Sequence, residues 1–351
     1  MKKIFLKLIK TLLLVGIIAC SEETSFSRPK VLPNNHDLIS ITETFVQEEI
    51  TKEVDIIWVI DNSSSMKNEQ IALAKNFSDF IDLFLENKID FNMGITTTDT
   101  TGRGSKTPEN GEFVGRSPII TSQMPSSMIK TTFMTNILVG TDGSGRERGL
   151  EGALLATQNS FNLNSVNYSF LRENANLVII FVSDENDISP ESTLFYIETL
   201  QALKPNSNMV TFCSIIDTRT ESFVDPFTYP IELESYYATQ WNNPGGKRYI
   251  NASQATSGII EDIHSDFAKS LINIGNKVIT LVNSFTLSNK PVQDSITVKI
   301  NNTPVARAVN KESSVSWYYD VIKNAVVFGT ESIPAKNDLI EISYTKLQSK
   351  K

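Results

Sequence analysis

The sequence predicts an α/β fold, a doubly wound and mostly parallel sheet, followed by a small C-terminal antiparallel β domain. Three observations carry this. Between residues 50 and 275, short apolar runs alternate with stretches of helical period, the pattern of a parallel sheet covered on both faces. Two of those runs, Val54–Ile60 and Leu177–Val182, lead directly into acidic residues, Asp61 and Ser183-Asp184. After Lys277 the period changes from helical to alternating.

The elements follow in order. Residues 1–19 form a leader, and residues 20–49, polar with Pro29 and Pro33, read as a tether. The strand ending at Ile60 is followed by a helix over Lys67–Glu86, whose Ile71, Ala74, Phe77, Ile81 and Phe84 share one face. A strand over Phe91–Asp99 comes next. The Gly-, Ser- and Thr-rich stretch from Thr100 to Met134 is too long for an ordinary loop and suits a functional or edge-hairpin role. A helix over Gly149–Phe161, the Leu177 strand, a helix over Pro190–Leu203 and a strand over Met209–Ile216 continue the alternation. A loop from Asp217 to Gly246 leads to Tyr249-Ile250 and a helix over Ser253–Ile274. The β domain, 276–348, takes its strands from Val278–Val282, Ser295–Ile300, Val315–Tyr319 and Leu339–Tyr344, with a turn at Asn301-Asn302.

Composition excludes several functions. There are 32 basic and 40 acidic residues, a balance unsuited to nucleic acid. The two histidines, His36 in the polar N-terminal segment and His264 in a mixed helix, lack ligand spacing, which argues against zinc hydrolases and serine or cysteine triads. Cys213 lies in an apolar strand and reads as a buried, inert thiol.

The chemistry concentrates in Asp61-Asn62-Ser63-Ser64-Ser65. Oxygen side chains on alternate residues of a tight turn can converge on one hard cation such as Mg²⁺, with Ca²⁺ or Mn²⁺ as alternatives. With Asp184 after the later strand, this Asp-x-Ser-x-Ser pattern resembles the metal-ion-dependent adhesion site of von Willebrand factor A domains. The resemblance covers residues 50–275 and implies a Rossmann-like fold with the metal bound by Ser63 and Ser65. Asp61 and Asp184 then act directly or through water. It also implies a protein partner that presents an Asp or Glu carboxylate. The family's further threonine ligand has no clear match; Glu147 falls closest, with Thr141 as the alternative, and Glu147 equally suits the positive end of the following helix. Asp187 reads as a solvated carboxylate at a strand end, with support of the site from behind its ligands as the alternative. A purely structural metal site in a scaffold lipoprotein is a second reading. A phosphatase of the haloacid dehalogenase type is a third, but its chemistry needs a carboxylate two residues after the nucleophile, where this chain has Ser63.

Lys2, Lys3, Lys7 and Lys10 precede the apolar run Leu12–Ile18, a cationic leader too short to span a bilayer. It ends in Ile17-Ile18-Ala19-Cys20, which resembles a bacterial lipobox. The resemblance implies cleavage before Cys20, its acylation, and, with Ser21 in place of an aspartate, an outer-membrane destination. A Cys20→Ser chain is expected to lose fatty-acid labelling and to leave the membrane fraction; unchanged labelling sinks the assignment.

Overall fold

Two apolar runs set the architecture by lying side by side. In the computed structural model, which describes residues 38–46, 53–100, 109–218, 245–308, 316–321, 324–329, 332–335 and 338–347, strand β2 (Glu53–Ile60) pairs in parallel with β5 (Asn176–Ser183). Both are buried almost throughout, as strands covered on two faces must be. They form the centre of a six-stranded sheet of order β4-β3-β2-β5-β6-β7, with β3 Asp90–Thr97, β4 Ile119–Thr121, β6 Val210–Ile216 and β7 Ile260–Asp262. Every pairing is parallel except that of β4, which runs antiparallel to β3 at the edge.

Helices cover both faces. On one lie α1 (Lys67–Glu86), α2 (Ser126–Asn136) and α6 (Phe267–Val282); on the other lie α3 (Gly149–Asn159), α4 (Thr193–Gln201) and α5 (Lys247–Ala255). Each face has its own core. Trp58 of β2 meets Phe77, Phe80 and Phe133 edge-on at 5.4–6.4 Å on the first, while Phe181 stacks on Tyr249 at 4.6 Å on the second. The α/β doubly wound class is therefore as the sequence implies.

Seven further strands make two smaller antiparallel sheets. One has the order β1-β13-β9-β10 (Leu38–Val46, Leu339–Leu347, Thr297–Ile300, Thr303–Val305). The other has the order β11-β12-β8 (Trp317–Asp320, Ala325–Phe328, Ser284–Thr286). They share a core built on Trp317, Phe328, Ile340 and Ile342. Asn301 and Asn302 both take positive φ, 49° and 65°, and turn the β9–β10 hairpin as expected. Residues Ser40–Lys346 form one compact unit. No helix among the described residues is long and apolar enough to cross a membrane.

Several elements differ from the sequence reading. Residues 38–46, placed in the tether, form edge strand β1. Val278–Val282, read as a strand, are the last turns of α6, because Leu271, Ile274, Val278 and Val282 continue a helical stripe packed on α1. The boundary drawn at 275/276 thus falls inside a helix. The single helix over 253–274 is instead α5, strand β7 and α6. The break comes at Ser257, with φ 57°, and Gly258, where the chain crosses β6 so closely that a Cβ would lie 1.6 Å from the Phe212 carbonyl oxygen. His264 accordingly sits in a turn, not a helix. The leader, Cys20, His36 and most of the 217–246 loop lie outside the described residues.

Gly258→Ala is expected to cost about 2–3 kcal/mol through this overpacking, read as a lowered urea midpoint. A midpoint within error of the parent would show that the crossing has slack.

Candidate metal centre

The parallel register delivers the site. Ile60 lies opposite Val182, so the residues that follow the two strands, Asp61 and Ser183-Asp184, emerge together at the carboxyl edge. The strand order reverses at β2, with β3 added on one side and β5 on the other, so this edge is also the crevice where such sheets bind ligands.

Asp61 is fully buried. Its Oδ1 accepts from the Ser63 N–H at 2.8 Å, and its Oδ2 accepts from Ser183 Oγ at 2.7 Å. These bonds fold the turn so that the Ser63 and Ser65 hydroxyls come within 3.1 Å of each other. Ser65 Oγ in turn donates to Asp184 Oδ1 at 3.2 Å. The turn is fastened from behind, since Gln70 Nε2 donates to the carbonyls of Asp61 and Gly140 at 3.0 and 2.9 Å. The Gly143 N–H donates to the Asn62 carbonyl at 3.0 Å, and a Cβ at Gly143 would lie 2.1 Å from Asn62 Oδ1.

Glu147 joins from the loop before α3. It is buried, accepts from the Thr98 hydroxyl through Oε2, and leaves Oε1 without a partner. The charge of Asp61 acts on its side chain at close range. The neighbouring Asp99, another strand-end acid, accepts from the Ser144 N–H at 3.1 Å and shapes the same loop.

Crowding like charges in a dry site raises the cost of ionising each of them. Burial, and then the charge of Asp184, push the Asp61 carboxyl up to about 6 against the hydrogen bonds from Ser183 and Ser63 that hold it down. Burial and then Asp61 push Glu147 well above the ordinary range. Glu185, at the open rim, is pushed up to about 7 by partial desolvation, Asp61 and Asp184.

Asp187 departs from its sequence reading as a solvated acid. It is fully buried, 3.1 Å from Arg248 of α5, and accepts from the Leu150 and Ser189 N–H groups at 2.9 and 3.0 Å. With Tyr249 Oη on Gly149 N–H and Ser189 Oγ on Glu151 N–H, it completes the first turn of α3. Arg248, Tyr249, Ser183 and Thr98 carry no local motif, and the sequence reading passed over them as site residues.

The residues present fit a hard divalent cation. All donors are oxygens, Glu147 Oε1 has no partner, and the raised carboxylates lack the positive charge that would relieve them. Among the described residues no three His, Cys, Asp or Glu groups converge to hold a metal by themselves, so an ion here depends on the serine hydroxyls and retained water.

No family model matches the sequence, and no curated protein does. Solved structures give distant likenesses. The pilus adhesin SpaC of Lactobacillus rhamnosus GG is 14% identical with a TM-score of 0.37, over 88% of this chain and 40% of its own. Proximal thread matrix protein 1 of the mussel byssus, solved with a zinc-occupied adhesion-site motif, is 14% identical with a TM-score of 0.36, over 68% of this chain and 47% of its own. An aerotolerance-related membrane protein of Bacteroides fragilis is 11% identical with a TM-score of 0.34, over 64% of this chain and 98% of its own. This chain thus spans under half the length of the adhesin and of the byssus protein.

A pH dependence follows. Asp61 and Glu185 rise from ordinary values of 3.8 and 4.5 to about 6 and about 7, so the metal-free folded state holds more protons than the unfolded one between these limits. Without metal, the contribution of these two groups to stability is therefore fully present below about pH 4 and is lost as pH rises towards 7. Mg²⁺ relieves the same repulsion, so its increment in thermal midpoint is expected to be larger at pH 7.5 than at pH 5, by scanning fluorimetry. Equal increments at both pH values would count against this site as the binding locus.

Proposed function

We propose that the chain is a non-enzymatic adhesion protein that captures a protein partner through a divalent cation. Mg²⁺ is the first candidate, with Ca²⁺ and Mn²⁺ as alternatives. Ser63, Ser65 and Asp184 hold the ion; Asp61, whose two oxygens are already engaged, supplies charge behind the serines, and Glu147 lies alongside. The cation, when bound, supplies a Lewis-acidic position for an incoming Asp or Glu carboxylate. Hydroxyl donors leave most of its charge uncompensated, and without it the acidic cluster repels that carboxylate. In this reading the protein is held at the outer membrane through an acylated Cys20, with the segment after residue 276 as an accessory β domain.

The observation that carries the reading is the linkage of Ser63, Ser65 and Asp184 at an edge where Ser65 and Glu185 remain exposed. A buried structural ion would need no open side. The second reading, a structural metal, is favoured by one feature: Glu147 is an internal carboxylate that could take the position offered to a partner. The phosphatase reading fails on chemistry, because Ser63 cannot act as the general acid.

Pull-down from a membrane extract separates these readings. Partner capture is expected to fall at least tenfold with EDTA or in Ser63→Ala, with the metal-free thermal midpoint of the variant close to the parent's. Asp184→Asn is expected to weaken metal binding as well. Capture that survives EDTA and Ser63→Ala leaves the structural metal in its place.

A further inference from the structure

The loop between α3 and β5 takes no part in the metal centre, yet it is firmly built. Its backbone closes on itself through Ser169 N–H to Ser160 O at 3.0 Å, with further turns at Ser165 and Tyr168. The buried Asn167 pins it. Its amide donates to the Gly111 and Ala156 carbonyls at 2.9 and 3.1 Å, and its carbonyl accepts from the Phe113 N–H at 2.8 Å. On this frame four large apolar side chains stand in solvent: Phe161 (64% exposed), Leu163 (75%), Val166 (47%) and Tyr168 (46%). A loop held this tightly presents them by construction. The sequence around them is distinctive too. From Gly152 to Leu171 there is no charged residue, in a chain that is 21% charged.

The loop lies at the amino edge of the sheet. Asn92 at the start of β3 donates to the Phe170 carbonyl at 3.0 Å, and Arg172 pairs with Asp55 near the start of β2 at 2.8 Å. The metal centre is at the other end of the same strands, roughly 25 Å away for eight residues of strand. The chain also enters β2 at this amino edge.

We propose that this loop docks on a lipid bilayer, with Phe161, Leu163, Val166 and Tyr168 entering the boundary between headgroups and acyl chains. Docked in this way, the protein points its metal centre away from the membrane. Uncharged amide and hydroxyl residues around aliphatic and aromatic side chains suit that interface, where a charge would be costly. A second copy of the chain is a poorer occupant: the four side chains offer about 450 Å² per copy, against the roughly 800 Å² per partner of a stable interface. Which membrane is docked rests on the acylation of Cys20 proposed above.

The test places an environment-sensitive fluorophore on Leu163→Cys in the full chain, reconstituted into phosphatidylcholine vesicles. Cys213 is buried and does not compete for the label. Emission is expected to shift to the blue and to be quenched by spin-labelled lipid, equally at low and high salt, since no charge takes part. The same label at the exposed Lys75→Cys should stay water-like. Adding Phe161→Ser should reduce the Leu163→Cys shift several-fold. A water-like signal at 163 on vesicles overturns the proposal, as does shielding that appears before lipid is added or only with added envelope protein. Fatty-acid labelling of Cys20 is scored separately and the fluorophore experiment is repeated in Cys20→Ser, so a blue shift that persists there supports the loop and removes only the anchor.

Discussion

The constraint on which the site depends is an imbalance between two acidic groups at one end of the sheet. Asp187 has a cationic partner, the Arg248 guanidinium, and backbone and hydroxyl donors from α3 and Ser189, which offset part of the upward push of its burial. Asp61 accepts from the Ser63 N–H and the Ser183 hydroxyl, and Glu147 from the Thr98 hydroxyl, but among the described residues neither is held in an ion pair. A fold able to place a buried arginine beside one carboxylate could have done so for the others. Instead the uncompensated pair faces the open edge, where an ion from solvent can supply the missing charge. A buried pair such as Asp187–Arg248 adds little net stability, but losing one partner is costly. Its contribution here is positional: it locks the first turn of α3 and so holds Glu147 against Asp61.

The rest of the structure keeps that edge in register. The central strands are buried on both faces and carry Trp58 and Phe181 into opposite cores, so neither can slip without exposing apolar surface to water. Gln70 reaches from α1 to bridge the carbonyls of Asp61 and Gly140, joining the metal turn to the loop that carries Glu147. A side chain at Gly143 would require that of Asn62 to move. The candidate ligands therefore sit on a short turn braced from three directions, although they come from segments over 100 residues apart.

Much of this was legible in the sequence, for a physical reason. Parallel pairing brings the ends of neighbouring strands together, so two apolar runs ending in acids are enough to bring Asp61, Ser65 and Asp184 into one place. What escaped depended on long-range packing. Asp187 looks solvated until Arg248, on a helix that follows a long loop, is brought beside it. The strand-like run Val278–Val282 is β-branched, and only its fit against α1 makes it helical, an instance of packing overriding propensity. The break at Gly258 reflects an approach to the Phe212 carbonyl that no local pattern announces. β12 was missed because the four buried residues Ala325–Phe328 form too short an apolar run to distinguish from a helix segment by period.

A parallel sheet also has a polarity that a bundle or antiparallel sandwich lacks. Its parallel strands, β3, β2, β5, β6 and β7, finish on one edge, which collects the polar turns able to hold an ion, and the connections returning to them gather on the other. Asp61, Asp184 and Glu147 occupy the first edge; the loop whose uncharged stretch carries Phe161 and Leu163 occupies the second. Any surface that immobilises the second edge leaves the first one facing outward, separated by the full length of the strands. The two ends need no coupling to serve one purpose, because their opposite orientation is fixed by the same register that assembles the acidic cluster.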